Sequence, residues 1–97
     1  ETPIENETVS PERIEIYMLG LKQLTPTEKA IYDAYIARAT TKEIMARMNI
    51  KETTLKYHNR NIYGKLGVST RKELLEIHKA IKYVKAKLDE IDNRSDK

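Results

Sequence analysis

The chain has 97 residues, which is enough for one small domain, and its apolar side chains are mostly aliphatic because it has six Tyr but no Phe or Trp. Only three Gly and three Pro, with 34% charged residues, favour helices over strands, and the lack of Cys excludes disulfides and thiolate chemistry. Residues 38–72 hold nine Lys or Arg against two Glu, a local balance of +7 within a net charge of +3, which is typical of nucleic-acid binding.

The two ends of the chain carry less information. Residues 1–9 are acidic and aperiodic, so we expect a linker or a frayed end, and residues 92–97 should form a polar tail. Because the chain begins with Glu, we expect it to be the C-terminal part of a longer protein. The longest apolar run, residues 16–21, is too short to span a membrane, so we expect no membrane contact by these residues.

The first predicted helix begins at Ser10, whose side chain can cap free backbone N–H groups, and at Pro11, which suits the first helical position. We expect this helix to be a linker that packs on the domain; a helix that binds a partner is the alternative. Its apolar side chains recur at the spacing of one helix face: Ile14, Tyr17, Met18 and Leu21.

The next two predicted helices open with the same pattern, in which a Thr caps the helix and a Glu three residues later bonds back to the cap. The second helix opens at Thr25 and Glu28 and should end near Arg38. The third helix opens at Thr40 and Glu43 and spans about two turns up to Asn49, since Asn tolerates the left-handed backbone that ends a helix. Their expected inner faces are Ala30, Ile31, Ala34 and Tyr35 in the second helix, and Ile44, Met45 and Met48 in the third.

The fourth predicted helix, residues 52–66, has two different faces and ends at Gly67. With a three-residue turn and the third helix before it, it makes a helix-turn-helix whose outward arc suits the acceptor-rich major groove of DNA. A half-buried helix with a solvated basic side is the alternative. The stripe expected to face the core holds Leu55, Asn59, Ile62 and Leu66 with His58 at its border, and the outward arc, without a carboxylate, holds Thr53, Lys56, Tyr57, Arg60, Asn61 and Gly64.

The fifth predicted helix follows a third capping pair, Thr70 and Glu73. Its apolar residues alternate at spacings of three and four, which is the a/d pattern of a coiled coil over nearly three heptads. We interpret this stripe as a homodimer interface, because the preceding helices are too short to cover its second half. Packing on the chain's own domain explains its first half equally well, and Leu75, off the stripe, should face that core. The stripe consists of Leu74, Ile77, Ile81, Val84, Leu88 and Ile91.

Residues 24–75 resemble the LuxR-type, GerE-like helix-turn-helix domain of bacterial transcription regulators. Five segments match in order and spacing: LTPTE at 24–28, TKEIMARM at 41–48, TLKYH at 54–58, NIYGKLGV at 61–68 and TRKELL at 70–75. The resemblance implies an all-α, four-helix domain that binds duplex DNA and pairs through its last helix, so that two copies contact two half-sites. Residues 1–23 would add a linker and an extra helix, and residues 76–97 an extension of the last helix.

Matched position by position, the resemblance implies contacts with bases from Lys56, Tyr57 and Arg60. Three residues depart from the family pattern: Lys51 replaces a capping Ser, Asn49 a turn Gly, and Gly64 a frequent basic residue. Losing the cap costs about 1 kcal/mol, and Gly within a helix costs about 1 kcal/mol relative to Ala. The residues expected to contact the DNA backbone are Thr41, Lys42, Lys51, Thr53, Thr54, His58, Asn61, Lys65, Arg71 and Lys72.

Three other functions fit the sequence less well. An enzyme or metalloprotein is disfavoured because His58 and His78, the only histidines, lie in separate helices without a second ligand or nucleophile nearby, so we expect no cofactor and no metal. Structured RNA has a groove too narrow for a helix. A protein-binding adaptor, including a module like region four of a sigma factor, is the alternative that we retain. We expect a location in the bacterial cytoplasm, and the sequence is also compatible with a parent protein tethered to a membrane. RNA polymerase is a further candidate partner.

Overall fold

The computed structural model describes residues 9–95, with side chains up to residue 92, and this part of the chain forms five α-helices and no strand. The residues predicted as an N-terminal linker lie, apart from Val9, outside the described residues. Residues 92–95, which the sequence predicts as part of a polar tail, form the last turn of the fifth helix. The all-α prediction, with one helix before and an extension after the helix-turn-helix domain, is confirmed. The helices are α1 (Pro11–Leu21), α2 (Pro26–Ile36), α3 (Thr41–Met48), α4 (Glu52–Leu66) and α5 (Arg71–Ser95).

The capping residues predicted from the sequence define where the first three helices begin. Ser10 accepts a hydrogen bond from the backbone N–H of Arg13, and complete capping boxes open α2 at Thr25 and α3 at Thr40. At α5 the pattern differs: Thr70 Oγ1 accepts from the N–H of Glu73, but the Glu73 carboxylate accepts from the N–H of Ser69 at 2.8 Å. These bonds satisfy amides that a helix start leaves without partners.

The second helix differs from the prediction at its end and on its inner face. It ends at Ile36 because Arg38 takes a left-handed backbone conformation, with φ of 67°. Ala30 is exposed, and Tyr32 is buried in its place. The buried residues Glu28, Ile31, Tyr32 and Tyr35 follow the spacing of one helix face, and Ala30 lies off that face.

Helix α1 is part of the domain core and does not lie loosely upon it. Tyr17 is fully buried, and its hydroxyl bonds Tyr32 Oη at 2.7 Å and the Leu74 carbonyl at 3.3 Å. The backbones of α1 and α4 are in direct contact at Gly20, where an added Cβ would lie 2.0 Å from the Lys65 carbonyl oxygen. The other fully buried side chains come from the remaining four helices: Ile31, Ile44, Leu55, Ile62, Leu66, Leu74 and Ile77.

The apolar stripe of α5 divides into a buried and an exposed half. Leu74 and Ile77 are fully buried by the chain's own domain, and Ile81 packs partly against it. The prediction that Leu74 and Ile77 lie between two copies is therefore wrong, since α1 and α2 already pack against this part of α5. Beyond them the exposed fractions of Val84, Leu88 and Ile91 rise to 45%, 55% and 53%. Leu75 packs against the core, as expected.

Candidate nucleic-acid interface

Helices α3 and α4 and the turn between them form a helix-turn-helix. Helix α3 ends at Asn49, which has φ of 57° and ψ of 51°, and the next N–H, that of Ile50, donates to the Met45 carbonyl at 3.0 Å. Only Asn49, Ile50 and Lys51 separate the two helices. The left-handed conformation that a turn Gly would adopt is thus supplied by Asn, as the sequence predicted.

The inward face of α4 is anchored by apolar side chains. Leu55, Ile62 and Leu66 are buried in the core. His58 and Asn59, which border this stripe, are half-buried, and within the described part of the chain His58 Nδ1 and Asn59 Oδ1 are buried without a hydrogen-bond partner. Burial of this face fixes the rotation of α4 about its axis and therefore determines which residues point outward.

The outward face of α4 exposes the residues expected to contact bases. The side chain of Lys56 is 72% exposed, Tyr57 is 58% exposed and stands edge-on to the His58 ring at 5.5 Å, and Arg60 is exposed. Thr53 and Gly64 are exposed beside them, and Asn61 is half-buried. The face therefore offers hydrogen-bond donors and a phenol ring, with nothing in the described chain covering them.

The start of α4 combines a missing cap with one acidic neighbour. Lys51 occupies the capping position and makes no side-chain hydrogen bond to the helix, as its replacement of a capping Ser predicted. Glu52 lies at the edge of the outward face, 3.8 Å from Lys56 Nζ, and both side chains are largely exposed. Such an exposed pair is worth well under about 1 kcal/mol, so Lys56 remains available to a stronger anionic partner.

The residues expected to contact the DNA backbone fall into two groups. Most of them lie at the surface near the starts of α3, α4 and α5. At the start of α3, the first backbone amides have no partner within the helix, so Thr41 and Lys42 offer an anion both N–H groups and a cation. The exposed members of this group are Thr41, Lys42, Lys51, Thr53 and Lys72, and the half-buried members are Thr54, His58 and Asn61.

Lys65 and Arg71 form the second group, because both are bonded inside the domain. Lys65 Nζ donates to Glu28 Oε1 at 2.6 Å and to the Gln23 carbonyl at 3.1 Å. Arg71 donates from Nη2 to the Ala39 carbonyl, and its guanidinium lies 4.6 Å over the ring of Tyr35. Both residues are cationic and match positions that meet phosphate in the family, but their partners are distant in the chain and no local pattern identifies those partners.

The carboxylate that holds Lys65 is itself almost completely buried. Burial opposes ionisation of Glu28, but hydrogen bonds from Lys65 and from the Thr25 N–H, with further attraction from His58, hold its pKa below its ordinary value. Glu28 therefore stays ionised. It accepts the Thr25 N–H in the capping box of α2 and binds Lys65 of α4.

The comparisons with known proteins agree on the kind of domain. The family described as bacterial regulatory proteins, luxR family, matches residues 22–78, more than half of the chain. The chain is also 39% identical over 61 residues to a probable transcriptional regulatory protein, SgaR, of Hyphomicrobium methylovorum. That match covers 63% of this chain and 29% of the relative, so the chain spans under a third of the relative's length. No solved structure matches significantly.

These matches support DNA-binding transcription regulation, a role that is not typically enzymatic, and they confirm the resemblance seen at residues 24–75. None of the five helices is long and apolar enough to cross a membrane.

Proposed function

This chain belongs to the luxR family of bacterial regulatory proteins, and we propose that it recognises a specific sequence of duplex DNA by placing α4 in the major groove. The observation that carries the proposal is the outward face of α4, where Lys56, Tyr57 and Arg60 are exposed while the opposite face is held in the core. Lys56 and Arg60 can donate to guanine O6 and N7, and the Tyr57 ring can pack on a thymine methyl group.

Phosphate contacts would orient α4 in the groove. The exposed residues at the starts of α3, α4 and α5 surround the outward face and are suited to this role. Lys65 and Arg71 support the interface from within, since their donors already bond Glu28 and the Ala39 carbonyl. Of the residues matched to backbone contacts by resemblance, these two are therefore assigned to the framework of the domain.

The test begins with selection of bound sequences from a random duplex library, followed by titration of the best site with single variants. Lys56→Ala and Arg60→Ala should each weaken binding by about 1–3 kcal/mol and relax the choice of base at one position. Lys85→Ala, which removes the same charge from the exposed part of α5, is the control. Equal losses of affinity on all duplex sequences would show that Lys56 and Arg60 contact only phosphate. If no sequence were enriched and no duplex bound in a salt-dependent way, a protein-binding adaptor would be favoured.

We also propose that two copies bind an inverted repeat, paired through the exposed half of α5. Val84, Leu88 and Ile91 are each about half exposed and continue the heptad stripe beyond the domain. The chain's own domain covers the same stripe at Leu74 and Ile77, so a second helix can reach the stripe only from its C-terminal side. Of the parallel and antiparallel arrangements of two α5 helices, we propose the antiparallel one, because it places the two domains at opposite ends of the pair, where they do not meet.

The longer protein to which this domain belongs would regulate transcription in the bacterial cytoplasm, with or without a membrane tether, and RNA polymerase is a candidate contact for it. The support is the name of the relative, of which this chain covers 29%. Footprinting and transcription assays on the selected site would test this role directly, and a site at which occupancy leaves transcription unchanged would contradict it.

A further inference from the structure

A basic groove lies between the end of α2 and the start of α5. Its volume is about 430 Å³. Four of the six residues that line it are cationic, one is acidic and one is apolar, so the groove has a strong positive balance. The lining residues are Arg38, Arg71, Lys72, Leu75, Glu76 and Lys79.

Three of these cations are available to a partner. Arg38, Lys72 and Lys79 are exposed, and none of them is in any of the ion pairs found in the described part of the chain. Arg71 differs, because its guanidinium is fixed over Tyr35 and bonded to the Ala39 carbonyl, so it forms a rigid wall of the groove. Three unpaired cations around a fixed one favour a polyanion that runs along the groove.

The groove lies next to the start of α3 and is joined to α4 through packed aromatic rings. Its wall residue Arg71 stacks on Tyr35, whose ring centre lies 6.4 Å from that of Tyr63 on α4. Ala39, which accepts the hydrogen bond from Arg71, directly precedes Thr40, the cap of α3. A phosphate chain that contacts the start of α3 can therefore continue into the groove.

We propose that this groove binds the phosphate backbone of duplex DNA beside the bases that α4 reads, and that Arg38 and Lys79 join Lys72 as contacts. The inference rests on the proposed function and extends its interface to two residues that lie outside the matched motifs. Glu76 is exposed in the same groove and opposes the phosphates. Contacts of this kind increase affinity for every sequence and make binding more dependent on salt.

The experiment compares salt dependence on the selected site, placed in a duplex with long flanks. The test variant is Arg38→Asn with Lys79→Gln, because Asn tolerates the left-handed conformation of Arg38. The slope of log affinity against log salt should fall by about two per bound chain, since each phosphate contact contributes roughly 0.9. Lys82→Gln with Lys85→Gln removes the same charge from the next turns of α5, outside the groove, and should change the slope less.

Two further measurements distinguish direct contact between the groove and DNA phosphates from a general electrostatic attraction of the domain to DNA. On a duplex trimmed to the bases read by α4, the test variant and the unmodified chain should bind with the same slope. Glu76→Gln should bind the long duplex several-fold more tightly than the unmodified chain. Equal slopes for the test and control variants on the long duplex would overturn the groove inference alone, whereas an unmodified chain without salt-dependent duplex binding would overturn the proposed function as well.

Discussion

At the scale of single residues, the ion pair between Lys65 and Glu28 connects α4, the proposed recognition helix, to the start of α2. We expect Lys65→Met to lower the free energy of unfolding by about 1–3 kcal/mol, because the buried carboxylate loses its closest donor. The loss should stay below that of a fully buried pair, since the Lys65 side chain is 30% exposed. Urea denaturation of the variant and of the unmodified chain measures this loss of stability. Lys29→Met, which breaks the exposed pair with Asp33, should change stability by less than about 0.5 kcal/mol.

The same ion pair should make the free energy of unfolding depend on pH. The pKa of Glu28 is lower in the folded chain than its ordinary value of 4.5, so the unfolded chain binds the proton more readily. The contribution to stability is therefore fully present above pH 4.5 and is lost as pH falls through the lower folded value. The difference in stability between the unmodified chain and Glu28→Gln should shrink over that acidic range, and a constant difference would contradict this assignment.

Individual residues also show what sequence can predict. Ser10, Thr25, Thr40 and Asn49 act through neighbours three to five positions away, so their capping and turn-forming roles follow from local spacing. The partners of Lys65 lie 37 and 42 positions away in the chain. Resemblance alone predicts a contact between its side chain and DNA, because nothing in the local sequence indicates that Glu28 is buried nearby.

At the scale of helices, the contact between α1 and α4 depends on the absence of one side chain. We expect Gly20→Ala to destabilise the domain by about 1–3 kcal/mol, as overpacking of a close contact does. The added Cβ would lie 2.0 Å from the Lys65 carbonyl oxygen, which is backbone and cannot rotate away. Thermal unfolding of the variant and of the unmodified chain gives the difference.

Gly64 provides the matched control on the facing helix. An added Cβ there would meet nothing within 4 Å, so Gly64→Ala should stabilise α4 by up to about 1 kcal/mol through helix propensity alone. If Gly20→Ala and Gly64→Ala changed the stability in the same direction, the close approach of α1 to α4 would not explain the effect of Gly20→Ala.

The helices also mark where periodicity stops being informative. Heptad spacing indicates correctly that one stripe of α5 is apolar, but it does not indicate what covers that stripe. Leu74 and Ile77 pack in the chain's own core, while Val84 and Leu88 with the same spacing are exposed. The difference comes from the lengths and positions of α1 and α2, which pack against the first half of α5 and are properties of the tertiary structure.

At the scale of the whole molecule, the half-buried α5 predicts how two copies meet. In an antiparallel pair that brings residues 81–91 of the two copies together, Val84 of one copy lies opposite Leu88 of the other, and the chain has no Cys of its own to interfere. An equal mixture of Val84→Cys and Leu88→Cys should therefore form a mixed disulfide, identified by mass after mild oxidation. Each variant alone should cross-link poorly, because identical residues would be offset by about 6 Å along the helix.

Other cross-linking results would each contradict a different part of the dimer proposal. Efficient linkage of both Val84→Cys and Leu88→Cys to themselves would indicate a parallel pair, and no disulfide in any sample would mean that the exposed half of α5 does not pair. Either result leaves DNA recognition by α4 intact, since that is measured by titration of the selected site.

The close approach of Gly20 to the backbone of Lys65 couples α1 directly to α4, the proposed recognition helix. No side chain fills the space between the two backbones there, so no change of rotamer can absorb a movement of one against the other. A pull or twist applied to the eleven residues of α1 must either turn α4 with it or separate the two helices. A displacement of α1 is therefore transmitted directly to α4 and to the surface that we propose for base recognition.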